Sequence, residues 1–149
     1  MSFQDQLYSK LKVAMREKNK VALESLRAIK SAILLLKTQS GAKENPSDIE
    51  ITKLLQKLVK QRKESASIYR KQGRVDLAEP EEAQIDVISQ FLPEQLSTDE
   101  VEKVIDEVIH SVGATSMKDM GKVIGITNKQ LAGKADGKLI ADIVKKRLG

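Results

Sequence analysis

Apolar residues recur at steps of three and four along most of the chain, which is the spacing of amphipathic helices. In residues 1–92 this spacing predicts four helices, at about 3–17, 21–38, 47–72 and 76–91. Short polar or glycine-containing segments separate them. Because amphipathic helices joined by short connections bury their apolar stripes against one another, we expect a four-helix bundle over residues 1–92.

The same stripes predict the core of this bundle. In the first helix the expected buried residues are Phe3, Leu7, Leu11, Ala14 and Met15. In the third helix they are Ile51, Leu55, Leu58, Ser65 and Tyr69, with Leu54 and Ile68 widening the stripe. Because proline has no backbone N–H, we expect Pro46 in the first turn of the third helix and Pro80 near the first turn of the fourth.

A break at residues 91–96 divides the chain. Pro93 prevents a continuous helix, and Ser97 followed by Glu100 has the spacing of a capping box. A fifth helix is therefore expected at about 98–112. No alternating apolar–polar run is long enough for a useful strand, so the predicted fold class is all-α.

The last part of the chain predicts two more helices. Met117, Met120, Val123 and Ile124 recur at helical spacing, and the helix that carries them should end near Leu131. Gly133 is expected as a left-handed cap, and Asp136 as the N-cap of a final helix from about 137 to 148. With the fifth helix they predict a three-helix bundle over residues 96–149.

Charge is strongly segregated along the chain although the net charge is only +5. Residues 51–74 contain eight basic residues and one acidic residue, whereas residues 75–107 contain one basic residue and eleven acidic ones. From residue 109 onward there are eight basic residues and three acidic ones. A basic face of this kind suits a polyanion. The alternative is that basic and acidic helices neutralise each other within the fold.

The candidate binding site is the glycine- and lysine-rich end of the chain. Gly121 and Gly125 are four residues apart in a predicted helix, where glycine costs about 1 kcal/mol relative to alanine. This spacing indicates close approach by a ligand backbone or, alternatively, by another helix. The candidate residues for nucleic-acid binding are Lys118, Gly121, Lys122, Gly125, Lys129, Gly133, Lys134 and Lys138. Lys134 and Lys138 flank the start of the last helix, where free N–H groups favour anions.

Residues typical of a catalyst are scarce. His110 is the only histidine and the chain has no cysteine, so we expect no catalytic residue, no metal site and no cofactor. The segment from Gly133 to Leu139 differs from a Walker phosphate loop in its glycine spacing, and Leu139 stands at the hydroxyl position. These features favour a binding protein over an enzyme.

Three segments together resemble the GatB/YqeY family, and specifically its YqeY proteins. They are Phe91-Leu-Pro-Glu-Gln-Leu-Ser, Asp119-Met-Gly-Lys-Val-Ile-Gly and Gly133-Lys-Ala-Asp-Gly-Lys-Leu-Ile. The resemblance covers essentially the whole chain. The tail also resembles the C-terminal helical domain of the B subunit of aspartyl/glutamyl-tRNA amidotransferase, which contacts tRNA. The resemblance therefore implies bundles of four and three helices and tRNA as ligand.

These observations lead to the hypothesis of a non-catalytic tRNA- or RNA-binding accessory protein. One alternative is a protein-interaction module that docks an acidic partner, for example an amidotransferase or aminoacyl-tRNA synthetase component. The other is carbon–nitrogen ligase activity with glutamine as amido donor, which the family resemblance alone suggests. The chain start does not read as a signal peptide and no apolar run reaches about 18 residues, so we expect a soluble cytoplasmic protein without membrane contact.

Overall fold

A computed structural model describes residues 2–39 and 46–149 of the chain. Within these residues all regular structure is helical, so the predicted all-α fold class is confirmed. The elements are α1 (Phe3–Glu17), α2 (Lys20–Gln39), α3 (Asp48–Lys71), α4 (Val75–Ser89), α5 (Thr98–Val112), a 3₁₀ turn (Met117–Asp119), α6 (Met120–Gln130) and α7 (Gly137–Leu148). The glycine-containing segment expected between the second and third helices, residues 39–45, lies outside the described residues apart from Gln39, which ends α2.

Side-chain caps determine where several helices begin. At Ser97, the side-chain oxygen accepts a hydrogen bond from the N–H of Glu100, and the Glu100 carboxylate accepts one from the N–H of Ser97. The capping box predicted there is thus confirmed, and Ser47 begins α3 in the same way.

The expected positions of the two prolines are wrong. Pro46 precedes the N-cap Ser47 and is not in the first turn of α3. Pro80 is the sixth residue of α4, where it removes a backbone donor from the helix interior. Helix α4 begins at Val75, one residue before its expected start, because Arg74 and the turn before it define that start.

The first compact unit runs from Met1 to Leu92 and contains α1 to α4. Helix α4 packs along both α3 and α2, and α1 packs on α2. The core of this unit consists of Leu7, Leu11, Ala14, Leu26, Ile29, Ile33, Ile51, Leu55, Val59 and Ile88.

The expected buried stripes of this unit need two corrections. Met15 is 53% exposed, and so is Ile68, whereas Val59 and Ala66 are buried in α3 although the expected stripe omits them. Extensive packing of α3 on α4 moves the buried face toward Val59 and Ala66. Periodicity identifies an apolar face, but it does not determine which edge of that face a neighbouring helix covers.

The second compact unit runs from Pro93 to Gly149, and α5, α6 and α7 pack pairwise within it. Its core consists of Val101, Ile105, Val108, Val123, Leu131, Ile140, Ile143 and Val144. Met117 is expected on the apolar helix face, but it lies in the 3₁₀ turn and is 42% exposed. The short turn precedes α6, so Met117 is not in helical register with Met120.

The turn between α6 and α7 is held to the start of this unit. The backbone N–H of Leu96 donates to the Lys134 carbonyl at 2.9 Å, and Nε2 of Gln95 donates to the Gly133 carbonyl at 2.6 Å. Gly133 has a φ of 77°, as expected for a left-handed cap. These bonds attach the turn that joins α6 to α7 to residues 95 and 96.

Candidate nucleic-acid interface

Helix α6 buries one side and presents its glycines on the other. Val123 and Thr127 are fully buried, whereas Gly121 and Gly125 are exposed. At 100° per residue, Lys122 and Lys129 fall on the same exposed side as the glycines. We call Gly121, Lys122, Gly125 and Lys129 the glycine face of α6.

No neighbouring helix of the second compact unit explains the glycines. A Cβ atom built on either Gly121 or Gly125 meets nothing within 4 Å. Close helix–helix packing, the alternative interpretation of their spacing, is therefore wrong within this unit. Because alanine would fit and favours a helix by about 1 kcal/mol in its interior, the fold itself does not require glycine at these positions.

The structure brings some predicted site residues together and separates others. Lys118 lies in the 3₁₀ turn before α6, Lys134 in the turn after it, and Lys138 in the first turn of α7. Met117 lies close to Gly149 at the end of α7, so Lys118 and Lys138 are near opposite ends of that helix. Gly133 is half-buried and its carbonyl already accepts a hydrogen bond, so it does not belong to the glycine face.

The five candidate lysines are exposed and form no ion pair with a described residue. Among the described residues no salt bridge involves Lys118, Lys122, Lys129, Lys134 or Lys138. The acidic helix α5 instead binds Arg147: Nε of Arg147 lies 2.9 Å from Oδ1 of Asp106, and Glu102 is 3.7 Å from the same guanidinium. Neutralisation within the fold therefore applies to Arg147 and not to these lysines.

The start of α7 is already capped by the chain. The Asp136 side chain accepts a hydrogen bond from the backbone N–H of Lys138 at 3.4 Å. An external anion at this helix N-terminus would have to displace or face that carboxylate. Lys134 and Lys138 can contribute as exposed ammonium groups, whereas the backbone N–H of Lys138 is already used by the Asp136 cap.

Sequence reasoning missed one polar residue beside the glycines. Asn128 is exposed and lies three residues after Gly125, so it adjoins the glycine face. Asn128 is seven residues after Gly121, a spacing that places both on the same side of a helix, and this spacing could have identified it from the sequence. Its amide group can both donate and accept hydrogen bonds, as a contact to a sugar or phosphate would require.

The histidine and acidic residues of the described chain form no metal-binding group. His110 is exposed in the last turn of α5, and no group of three histidine, aspartate or glutamate side chains that could hold a metal occurs in residues 2–39 and 46–149. The pKa of Glu100 is lowered because its carboxylate accepts the Ser97 N–H, which is a capping interaction. No helix of the described chain is both long and apolar enough to cross a membrane.

Comparison with known proteins supports the sequence resemblance. The chain is 33% identical over 147 residues to altered inheritance of mitochondria protein 41, mitochondrial, of Pyrenophora tritici-repentis, covering 96% of this chain and 79% of that protein. The protein of the same name from Clavispora lusitaniae is 31% identical, covering 81% of this chain and 69% of that protein.

A shorter stretch of 57 residues is 39% identical to a glutamyl-tRNA(Gln) amidotransferase component of Thermococcus gammatolerans. It covers 36% of this chain and 9% of that protein. Because the names of the longer matches include the word mitochondrial, the cytoplasmic location expected from the sequence stays a prediction. The family model described as Yqey-like protein matches residues 4–148, and the chain therefore belongs to the YqeY-like family.

Proposed function

We propose that this chain is a non-catalytic RNA-binding accessory protein, and that the glycine face of α6 contacts the sugar–phosphate backbone of a structured RNA such as tRNA. The observation that carries the proposal is the pair of exposed glycines flanked by Lys122 and Lys129. Glycine exposes the helix backbone to close approach, and the adjacent ammonium groups supply charge for phosphates. Lys118, Lys134 and Lys138 extend the positive charge beyond the two ends of α6.

The composition favours backbone contacts over base reading. The chain has two Phe, two Tyr and no Trp, whereas proteins that bind single-stranded nucleic acid stack bases on aromatic side chains. Ammonium groups and a bare helix backbone suit a folded RNA recognised through shape, phosphates and 2′-hydroxyls. We therefore expect tRNA or duplex RNA to bind more tightly than a single strand of equal length.

The short match to an amidotransferase component gives the proposed setting. The name of that relative includes glutamyl-tRNA(Gln), and by analogy this chain would assist an enzyme that modifies or uses aminoacyl-tRNA. A direct partner from an amidotransferase or synthetase is part of the same proposal. In this role the chemistry belongs to the partner enzyme, and this chain supplies RNA affinity.

A salt titration of RNA binding tests the proposal. We expect the full-length chain to bind bulk tRNA, with affinity falling steeply as salt increases. The double variant Lys122→Gln/Lys129→Gln should reduce the slope of log K against log salt by about 1.5 to 2. The matched control Lys12→Gln/Lys103→Gln removes the same charge elsewhere and should leave the slope nearly unchanged. Equal slopes for both variants, or no binding at low salt, would reject the proposal.

The protein-docking alternative makes a different prediction. Partners captured from a lysate through RNA should be lost after nuclease treatment, whereas a directly bound acidic protein should remain. If a partner remains after nuclease treatment and its capture requires Lys122 and Lys129, the glycine face is a protein-docking surface.

A further inference from the structure

Helix α3 carries a second set of exposed lysines, in the other compact unit. Lys53, Lys57 and Lys71 are exposed on the side of α3 opposite its buried residues Ile51 and Leu55. Lys53 and Lys71 are 18 residues apart, which is five helical turns and about 27 Å along the axis. We call Lys53, Lys57 and Lys71 the lysine face of α3.

The arginines of the same region are used within the fold. Arg62 donates from Nε to Gln84 of α4 at 2.9 Å and from its terminal nitrogen to the Leu58 carbonyl at 3.1 Å. Arg70 donates two hydrogen bonds to Glu82 of α4, the shorter at 2.8 Å. The acidic helix α4 therefore binds arginine side chains that reach toward it.

Arg74 follows the same rule, because its guanidinium makes two hydrogen bonds to the carboxylate of Asp76, at 3.1 and 3.0 Å. By contrast, Lys53, Lys57 and Lys71 form no salt bridge with any described residue. Arginine suits fixed, bidentate pairs, whereas lysine keeps a mobile charge in water. The fold thus pairs Arg70 and Arg74 with carboxylates and binds Arg62 through neutral groups, and it leaves a row of lysine charges on the opposite side of α3.

We propose that the lysine face of α3 is a second RNA-backbone contact surface, separate from the glycine face of α6. This inference rests on the proposed function, since the ligand is the same class of RNA. Like charges at a spacing of four destabilise a helix slightly, and bound phosphates offset that repulsion. The contact would add affinity and salt dependence and would not read sequence.

Two features favour RNA over the other acidic partners. Lysine is depleted from the cores of protein–protein interfaces, and here lysines are the shared residues of the surface. Most apolar residues of α3 are buried in the bundle, and only Ile49 and Ile68 of its large apolar side chains are exposed, so this helix has no continuous apolar face of the kind that amphipathic membrane helices insert into lipid.

Removing the charge of one acidic residue on this side of α3 should tighten RNA binding, which tests the inference. Glu64 is exposed and lies on the same side of α3 as Lys57 and Lys71. If phosphates contact this side, Glu64→Gln should tighten binding of bulk tRNA by about two- to fivefold at low salt. Glu17→Gln, at the end of α1, removes an exposed carboxylate elsewhere and should have no such effect. Equal affinities for the Glu64 variant and wild type would overturn the inference.

Charge removal provides the complementary test. We expect Lys53→Gln/Lys57→Gln/Lys71→Gln to lower the salt slope for bulk tRNA by about 2 to 3, with helix content unchanged by circular dichroism. The triple control Lys12→Gln/Lys20→Gln/Lys103→Gln carries the same change in charge. If the control variant lowers the salt slope by the same amount, the effect comes from net charge and not from the lysine face of α3, and the inference is overturned. Competition by polyglutamate or phosphatidylserine vesicles as strong as competition by RNA would assign the face to another partner.

Lysine footprinting separates this inference from the proposed function. The full-length protein is acetylated with and without bulk tRNA at low salt, and each lysine is quantified by mass spectrometry. Protection of Lys53, Lys57 and Lys71 together with Lys122 and Lys129 supports both ideas. Protection confined to Lys122 and Lys129 overturns the inference and keeps the proposed function. Protection confined to the lysine face of α3 supports the inference and overturns the proposed role of the glycine face. No protection at either face refutes both.

Discussion

Replacing Gly121 and Gly125 by alanine should strengthen the fold and weaken RNA binding. Both positions are exposed, and an added Cβ meets no atom within 4 Å. Alanine in an exposed helix interior is favoured by about 1 kcal/mol, and Gly121 gains less because it is the second residue of α6. The double variant should therefore raise the free energy of unfolding by about 1–2 kcal/mol.

The expected loss of RNA affinity comes from the same two methyl groups. Each would hold a ligand backbone about 1.5 Å farther from the helix, which is enough to break contacts at hydrogen-bond distance. Losing about 1–2 kcal/mol of contacts would weaken tRNA binding by roughly five- to thirtyfold. Urea denaturation followed by circular dichroism measures the first effect, and hydrogen exchange of α6 localises it. Fluorescence anisotropy with labelled tRNA measures the second.

The matched control is Ser111→Ala on the exposed side of α5. It should raise helix stability slightly and leave tRNA affinity unchanged. If the double glycine variant gains stability while its affinity for tRNA stays at the wild-type value, the glycine face is not a ligand contact. If it loses stability, the space beside α6 is not open and the structural premise is wrong.

Three further predictions concern the second compact unit. Thr127→Val should raise the free energy of unfolding, measured by urea denaturation, by about 1–2 kcal/mol. The reason is that Oγ1 of this buried residue has no hydrogen-bond partner among the described atoms. A decrease in the free energy of unfolding would mean that the hydroxyl is hydrogen-bonded. Glu100→Gln should reduce acid sensitivity. The stabilisation by the Glu100 carboxylate is complete above its pKa in the unfolded chain and is lost as pH falls through the lowered folded pKa, which an NMR titration would locate. Arg147→Met should lower stability by at most about 1 kcal/mol at low salt, with the difference shrinking in high salt, since its partner Asp106 is exposed; a salt-independent difference would point to packing.

Local chemistry made the helix ends largely predictable. The Ser97–Glu100 box, the left-handed Gly133 and the Asp136 cap all follow from interactions within a few residues, and the structure has each of them. Pro80 is the exception. Pro80 lies inside α4 because the helix begins at Val75, where the preceding turn ends. The residues around the proline do not predict that starting point.

The buried side of α3 shows where pattern reading failed. The sequence allowed either Ile68 or Val59 to mark the edge of the core, since both are apolar and near the same stripe. Packing against α4 buries Val59 and leaves Ile68 exposed. The choice follows from the position of a neighbouring helix, and that position is a long-range property.

For the candidate site, the residues were visible in the sequence but their surroundings were not. Gly121 and Gly125 suggested a close approach, and only the fold showed that no other helix of this unit makes it. In the same way, the charge counts could not separate cations that are paired from cations that remain available.

The sequence by itself determined the helical class, the break near Pro93 and the segregation of charge, because helix periodicity, capping and residue charge are properties of near neighbours. Tertiary structure alone decided that Arg62 and Arg70 bind α4 while Lys53 and Lys57 stay exposed, and that the glycines of α6 face outward. These outcomes depend on which helix faces meet, and residues far apart in the chain jointly set that choice.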